Sequence, residues 1–294
     1  MKSFVYIKMP KYGLGNLLLI WAKARIFASK NNLDLVVSSW GFFRLGPWLR
    51  RENKKRIYTG YFKNSFSLNH LKSQYLSFLY PKVVISEIRK LTRDELAKDL
   101  IFEINSSILN EDLFGDIREN RELIKNELLK LVNPFLLKSI TKYSDPVIGI
   151  HIRRGDFKHG NPITQNIYFI NIIKAIRLIC NYDVPATIFT DADESEILDI
   201  LSLNSVSLAE KKEDILDILI LSKSRILVLS RSSTFSYWAA FLSDNIIIRP
   251  QDDWQKKLRH LNDFKEIIYN NEDTSALKEL INKNFIPSLM NKMT

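Results

Sequence analysis

The sequence predicts an α/β protein, because strands and helices alternate strictly through its second half. After Pro146, apolar runs of strand length are separated by segments with helical periodicity. Such alternation is typical of a doubly wound parallel sheet with helices on both faces. The predicted strands are Val147–Ile152, Ala186–Thr190, Ser205–Leu208, Ile226–Ser230 and Ile246–Ile248, and the predicted helices span about 166–180, 193–203, 212–223 and 234–243.

The length and composition favour two domains. The chain has 294 residues and is 46% hydrophobic, which is enough for two cores of ordinary size. The helix breaker Asp145-Pro146 precedes the alternating half, so we place the boundary there. The predicted organisation is one domain over 1–145, a second domain with the doubly wound sheet over 146–250, and a C-terminal helical segment over 251–294.

The N-terminal part begins as a β-α-β unit. Phe4–Ile7 is predicted as a strand, 17–29 as an amphipathic helix and 35–37 as the next strand. The intervening Gly13-Leu14-Gly15-Asn16 predicts a tight turn whose backbone N–H groups form a cradle for an anion or a substrate. A dinucleotide fingerprint would need a third glycine, so an NAD site is rejected. From 68 to 142 the pattern is helical and charged.

The charge balance favours anionic partners. There are 43 Lys+Arg against 33 Asp+Glu, a net charge of +10. The basic residues are spread along the chain rather than collected in a stripe with aromatics, so nucleic acid is not expected as a partner. The single Cys180 fits a reducing compartment, and no apolar run has the length of a membrane span or the pattern of a signal peptide. We expect a cytoplasmic protein.

The segment Val147 to Gly160 carries the strongest site signal. Its β-branched run ends in His151, Arg153, Arg154, Gly155 and Asp156, so a buried strand delivers two guanidinium groups to its carboxyl end. Guanidinium groups match phosphate oxygens, and a glycine lets the backbone approach a ligand closely. The interpretation is an anion site, with a nucleotide diphosphate as the expected ligand. The alternative is an exposed salt bridge that closes a turn.

Two further strand ends carry polar groups. Thr190-Asp191-Ala192-Asp193 follows one strand, and Ser230-Arg231-Ser232-Ser233-Thr234 follows another and precedes a helix. Parallel strands with right-handed crossovers bring their carboxyl ends to one edge, where such sheets bind ligands. We therefore expect the three strand ends to form one ligand cleft.

Each of these motifs has a structural alternative. The hydroxyls of Ser232, Ser233 and Thr234 at a helix N-terminus suit a phosphate, although a single serine would suffice as an N-cap. Asp191 and Asp193 could accept from guanine, hold Mg²⁺ or Mn²⁺, or cap the next helix; we prefer base recognition or capping. His151 lies on the same strand face as Arg153, and either a cleft role or an orienting role fits it. The histidines and the lone cysteine form no zinc-ligand pattern.

Two segments remain with open interpretations. The aromatic stretch from Trp40 to Arg51 suits either a glycan acceptor surface or a hydrophobic cluster under a loop. The C-terminal segment places Trp254, Leu258, Leu261 and Phe264 on one helical face. That face predicts packing back across the domains, with a membrane-surface helix as the alternative.

At this point the motifs resemble a known family. His151-Ile152-Arg153-Arg154-Gly155-Asp156-Phe157 is similar to the H-x-R-R-x-D motif of the α1,2-, α1,6- and protein O-fucosyltransferases, and the family 11 α1,2-fucosyltransferases are most similar. The similarity extends to the segments 13–16, 58–62, 188–191 and 232–240. The chain differs from the family pattern at Leu17 in place of Gln, in the inserted Thr234, and at Tyr237 in place of Trp.

The resemblance implies a GT-B fold of two Rossmann-like domains, with the acceptor side in the N-terminal domain and the nucleotide site in the C-terminal domain. It implies inverting transfer of fucose from GDP-fucose to a glycan such as an oligosaccharide, lipopolysaccharide or glycolipid. No cofactor or divalent metal is expected, and peripheral contact with the inner membrane face would fit such acceptors. Transfer from another nucleotide sugar and non-catalytic nucleotide or glycan binding are the alternatives.

The resemblance also implies roles for individual residues. Arg153 would hold the β-phosphate, while Arg154 and Asp156 would organise the loop. Apart from the resemblance, the general base is open between Asp156 and a carboxylate of the N-terminal domain. Asp191 or Asp193 would face guanine. Contacts to the donor are further expected from His151, Gly15, Ser232, Ser233 and Thr234. Asn16 would line the cleft between donor and acceptor, and the catalytic residues are expected to be Arg153, Asp156 and Asn16.

Overall fold

The computed structural model describes residues 3–38, 40, 58–63, 75–76, 79–155 and 163–287. The chain divides into two compact units, residues 1–138 and 139–294. The division therefore falls between Lys138 and Ser139, slightly before Asp145-Pro146. Asp156 and most of the aromatic stretch after Trp40 lie outside the described residues.

The N-terminal unit contains a parallel sheet with the strand order β2-β1-β4-β3. Strand β1 pairs in register with β2 on one side and β4 on the other, and it is buried throughout. Helix α1 follows β1 and buries most of its length, which explains its nearly continuous apolar sequence. The elements are β1 (Phe4–Ile7), α1 (Leu14–Lys30), β2 (Asp34–Val37), β3 (Lys82–Ile85), α2 (Arg93–Ala97), β4 (Ile101–Ile104), α3 (Gly115–Glu119), α4 (Arg121–Leu131) and α5 (Pro134–Ser139).

The all-helical prediction for 68–142 is wrong where β3 and β4 occur. Each is a run of only four residues between charged segments, and β3 is a partly exposed edge strand. Runs this short carry little periodicity, so propensity does not separate them from the helical surroundings. Residues 58–63 form a turn in which Phe62 makes an isolated antiparallel bridge with Val132.

The C-terminal unit contains a parallel sheet with the order β10-β9-β8-β5-β6-β7. The alternation predicted from the sequence is confirmed, and α6 has the predicted bounds. The elements are β5 (Ile148–Ile152), α6 (Asn166–Cys180), β6 (Ala186–Thr190), α7 (Leu198–Leu201), β7 (Val206–Leu208), α8 (Asp214–Leu221), β8 (Ile226–Val228), α9 (Thr234–Leu242), β9 (Ile246–Pro250), β10 (Glu266–Tyr269) and α10 (Ser275–Asn284).

The core of this unit lies between the sheet and its helices. The apolar face of α6, with Phe169, Ile172, Ile173 and Ile176, is fully buried against the central strands and against α10. On the strand β5, Gly149 is required by packing, because a Cβ there would lie 2.0 Å from Ser224 Oγ. Burial on both faces of the sheet is what the uninterrupted β-branched strands predict.

The helical prediction for the C-terminal segment is wrong over 251–269. Residues 251–265 form turns and loops, and β10 adds an edge strand to the sheet. Leu258 is buried, whereas Trp254, Leu261 and Phe264 are exposed, so the proposed apolar helical face does not exist. Only α10 fulfils the helical expectation. Within the described part of the chain, we find no helix with the length and apolar character needed to cross a membrane.

Candidate functional site

The three polar strand ends meet at one edge of the C-terminal sheet. Strand β5 pairs with β6 through Ile152 and Thr190 and with β8 through Ile150 and Val228, so the residues that follow these strands are neighbours. Ser230 links two of the ends directly. Its Oγ accepts a hydrogen bond from Arg153 N at 3.0 Å and donates one to the His151 carbonyl at 2.8 Å.

Asp191 joins the third end to the arginine pair. Its carboxylate forms an ion pair with the Arg153 guanidinium and accepts from the backbone N–H of Arg154 at 2.7 Å. The side chains of Arg153 and Asp191 are 25% and 24% exposed, so the pair reaches the surface of the sheet edge. A rigid guanidinium oriented by a carboxylate is suited to bind an anion.

Gly155 permits this arrangement. Its φ is +24°, and a Cβ at this position would lie 2.3 Å from Asp191 Oδ2. Any side chain would therefore displace the carboxylate that holds Arg153, in addition to straining the backbone. In this structure, the absence of a side chain at Gly155 leaves room for the Asp191 carboxylate.

Arg154 has different partners from Arg153. It is nearly fully buried, donates to the Arg153 carbonyl at 2.9 Å, and hydrogen bonds to Asn166 at the start of α6. Burial lowers the pKa of the Arg154 guanidinium, while the nearby carboxylates of Glu196, Asp191 and Asp199 act in the opposite direction. These contacts attach the loop after β5 to helix α6.

The segment after β8 forms the start of helix α9. Ser232 has a φ of +52°, Ser233 is the buried N-cap, and Thr234 is the first helical residue. Helix N-termini carry backbone N–H groups and a positive dipole end, which favour an anion. Arg231 pairs with Asp252, and its backbone N–H donates to Thr164 Oγ1 at 2.9 Å.

His151 lies behind this edge. Its side chain is buried, and the ring stacks on Phe235 in the first turn of α9, with centroids 4.8 Å apart. The contact fixes α9 relative to β5. This position agrees with the orienting role that the sequence left open beside the cleft role.

Asp193 has a different environment from Asp191. It is exposed and precedes the short 3₁₀ helix Glu194–Glu196, and its backbone N–H donates to the Glu196 carboxylate at 2.9 Å. The helix-capping alternative therefore applies to Asp193. In the residues that the structure describes, no group of three His, Cys, Asp or Glu side chains is arranged to hold a metal ion.

Gly15 and Asn16 belong to the N-terminal unit. They lie in the first turn of α1, directly after β1, with Gly15 buried and Asn16 half-buried. The N-cap is Gly13, where a Cβ would meet nothing within 4 Å, and the N–H of Leu14 donates to the Tyr58 hydroxyl at 3.1 Å. The helix therefore begins at Leu14, three residues earlier than predicted, and Gly15 and Asn16 belong to its first turn and not to a tight turn before it.

Two residues of this edge were not assigned a role from the sequence. Ser230 was one hydroxyl among several, and only the pairing of β5 with β8 identifies it as the link between them. Trp254 was assigned to a helical face, whereas its indole N–H donates to Ser232 Oγ at 3.2 Å. A tryptophan a few residues after a strand end is the signal that the sequence offers for it.

Comparisons with known proteins agree with this architecture. The family model described as glycosyl transferase family 11 matches residues 116–272, which is more than half of the chain. A comparison with curated proteins gave no match.

Solved structures provide an independent comparison of the fold. Similar ones include the NodZ α-1,6-fucosyltransferase co-crystallized with GDP, at 16% identity and a TM-score of 0.52, covering 86% of this chain and 96% of that one. Another is NodZ soaked with GDP-fucose, at 16% identity and a TM-score of 0.50, covering 85% and 96%. A third is the fucosyltransferase NodZ from Bradyrhizobium, at 16% identity and a TM-score of 0.50, covering 83% and 94%.

These structural matches confirm the predicted α/β class with two parallel, Rossmann-like sheets of the GT-B type. The family match confirms the resemblance to the family 11 fucosyltransferases that the motifs gave. Since the family model covers more than half of the sequence, the chain belongs to glycosyl transferase family 11.

Proposed function

We propose that this enzyme transfers fucose from GDP-fucose to a hydroxyl group of a glycan acceptor, with inversion at the anomeric carbon and an α1,2 linkage to galactose. The observation that carries the proposal is the cluster of Arg153, Asp191 and the N-terminus of α9 at one sheet edge. Membership of family 11 supports the reaction class, and the GDP and GDP-fucose named for the NodZ structures support the donor.

Arg153 is the proposed partner of the β-phosphate. Its guanidinium is oriented by Asp191 and its backbone is held by Ser230, so both ends of the residue are fixed. Ser232, Ser233 and Thr234 are proposed to bind the diphosphate through hydroxyl and backbone N–H groups at the start of α9. The guanidinium group of Arg153 and the N-terminus of α9 would then both contact one pyrophosphate.

The proposed reaction is a single displacement at C1 of fucose. The acceptor hydroxyl oxygen forms a bond to C1 as the bond from C1 to the β-phosphate oxygen breaks, and that electron pair leaves with GDP. The hydroxyl proton passes to a general base, for which Asp156 is the candidate. Negative charge grows on the β-phosphate in the transition state, where a fixed donor contributes about 3–4 kcal/mol in comparable sites.

The remaining assignments complete the proposed site. Asp191 or Asp193 at the end of β6 would accept from guanine; of these, Asp191 is already engaged by Arg153 and Arg154, whereas Asp193 is exposed. The roles of Gly15 and Asn16 rest on the family resemblance alone. The acceptor is proposed to be an oligosaccharide, lipopolysaccharide or glycolipid, and a reducing compartment such as the cytoplasm fits the single Cys180.

The test is a transfer assay with GDP-fucose, alongside other nucleotide sugars, and a panel of galactose-terminated acceptors. NMR of the product reports the linkage and the anomeric configuration. We expect Arg153→Ala to lower kcat by at least about a hundredfold, because the oxyanion-type contact is lost. Arg153→Lys should restore little, since an ammonium cannot reproduce the planar fork.

Arg93→Ala, which removes an exposed guanidinium on α2, is the matched control and should retain normal activity. EDTA should leave the wild-type rate unchanged. A near-normal rate in Arg153→Ala would remove that residue from the mechanism, and turnover only with another nucleotide sugar would exclude fucose as the transferred group.

A further inference from the structure

Trp254 differs from the other tryptophans that the structure describes. Trp21, Trp40 and Trp238 are almost fully buried, whereas Trp254 is 57% exposed. An exposed indole offers a large apolar face on which a ligand can pack. This exposed ring lies at the same sheet edge as the phosphate-binding segment, because its N–H donates to Ser232 Oγ at 3.2 Å.

The residues on either side of Trp254 hold it rigidly. Asp253 and Gln255 are both buried, and the buried Arg249 donates to the Asp253 carboxylate at 3.1 Å and to the Gln255 carbonyl at 2.5 Å. Arg249 is in turn paired with Glu266 on β10 at 2.7 Å. The exposed ring is therefore presented from a fixed backbone, which lowers the entropic cost of binding.

The order of the strands indicates which part of a ligand would reach this ring. Neighbouring strands follow the order β6-β5-β8-β9 and are about 4.8 Å apart. The proposed partners of guanine follow β6, and the diphosphate is assigned to the ends of β5 and β8. A nucleotide sugar extends in the order base, ribose, diphosphate and sugar, so the next group along this row is the sugar, at the end of β9 beside Trp254.

We propose that Trp254 is the stacking surface for the pyranose ring of the donor sugar. The aliphatic C–H groups of one pyranose face carry partial positive charge and match the negative face of the indole. A 6-deoxy sugar such as fucose adds a methyl group to the apolar area. This proposal rests on the proposed function, and it assigns a sugar-binding residue to the same site.

The test compares binding of GDP and GDP-fucose in the absence of acceptor, by titration calorimetry. In Trp254→Ala we expect the affinity for GDP-fucose to fall about tenfold more than that for GDP, because the lost hydrogen bond to Ser232 affects both nucleotides, whereas only GDP-fucose loses a stacking contact. Trp254→Phe retains an aromatic face and should lose no more than about threefold. Quenching of Trp254 fluorescence by GDP-fucose, but not by GDP, should vanish in both variants.

Phe264→Ala is the matched control, since Phe264 is an aromatic residue of the same segment with 63% exposure. Circular dichroism verifies that each variant is folded. Equal losses for GDP and GDP-fucose would overturn the proposal in favour of a base or ribose contact, and a change confined to the acceptor KM would overturn it in favour of the acceptor sugar. Wild-type protein that binds neither nucleotide would instead refute the proposed function.

Discussion

Gly155→Ala tests the geometry of the arginine cluster directly. The new Cβ would lie 2.3 Å from Asp191 Oδ2, so the carboxylate must move away from Arg153 and from the Arg154 N–H. Each of these charge-assisted hydrogen bonds contributes about 1.5 kcal/mol, the lower end of the usual range, because the side chains are partly exposed. Placing alanine at a positive φ adds about 1–2 kcal/mol. The expected loss of stability is therefore about 4–5 kcal/mol.

The same substitution should cost much less when Asp191 is already alanine. Without the carboxylate there is no clash, and only the backbone strain of about 1–2 kcal/mol remains. Equilibrium denaturation of the wild type, both single variants and the double variant gives a thermodynamic cycle, with an expected coupling of about 3 kcal/mol. Calorimetry should in parallel record weaker GDP binding in Gly155→Ala. Penalties that add to within about 0.5 kcal/mol would refute the argument that Gly155 makes room for Asp191.

Three further predictions follow from other parts of the structure. Gly13→Ala should change the unfolding free energy by no more than about 1 kcal/mol, because a Cβ there meets nothing, so a loss of activity would identify close approach of a substrate. Arg249→Met should destabilise the protein by about 3–5 kcal/mol in denaturation experiments, since two buried carboxylates lose their partner; a loss below 1 kcal/mol would contradict this estimate. The hydrogen bond from Arg89 lowers the pKa of Glu95 to about 2. The contribution of this ion pair to stability should be present above about pH 4.5 and lost as the pH falls towards 2. An NMR titration in which Arg89→Gln leaves the pKa of Glu95 unchanged would exclude the ion pair as the cause.

The C-terminal sheet could be predicted well because its central strands β5, β8 and β9 are buried throughout. Continuous β-branched runs and the helical face of α6 gave nearly correct bounds for β5 to β9. Strand β10 was missed because it begins with a charged residue, Glu266. The buried carboxylate of Glu266 is paired with Arg249 on the neighbouring strand and accepts from the Leu258 N–H, and contacts between residues distant in sequence leave no local pattern.

The candidate site was predictable as a location but not as a set of contacts. Parallel topology alone indicates that Arg153, Asp191 and the serine-rich segment share an edge. For Asp191 the motif alone allows guanine recognition, metal binding or helix capping, whereas the structure pairs it with Arg153. The exact partner depends on the positive φ of Gly155 and on strand register, and neither is encoded in the motif itself.

The position of α10 has a consequence for synthesis of the protein. Leu277, Leu280 and Ile281 cover apolar side chains of α6, a helix formed by residues more than ninety positions earlier, since α6 ends at Cys180 and α10 begins at Ser275. Until α10 has been synthesised, these apolar side chains of α6 are exposed to water. Native assembly of this unit is therefore completed only after translation has passed α10, and shortened chains that lack α10 should be captured by chaperones or aggregate.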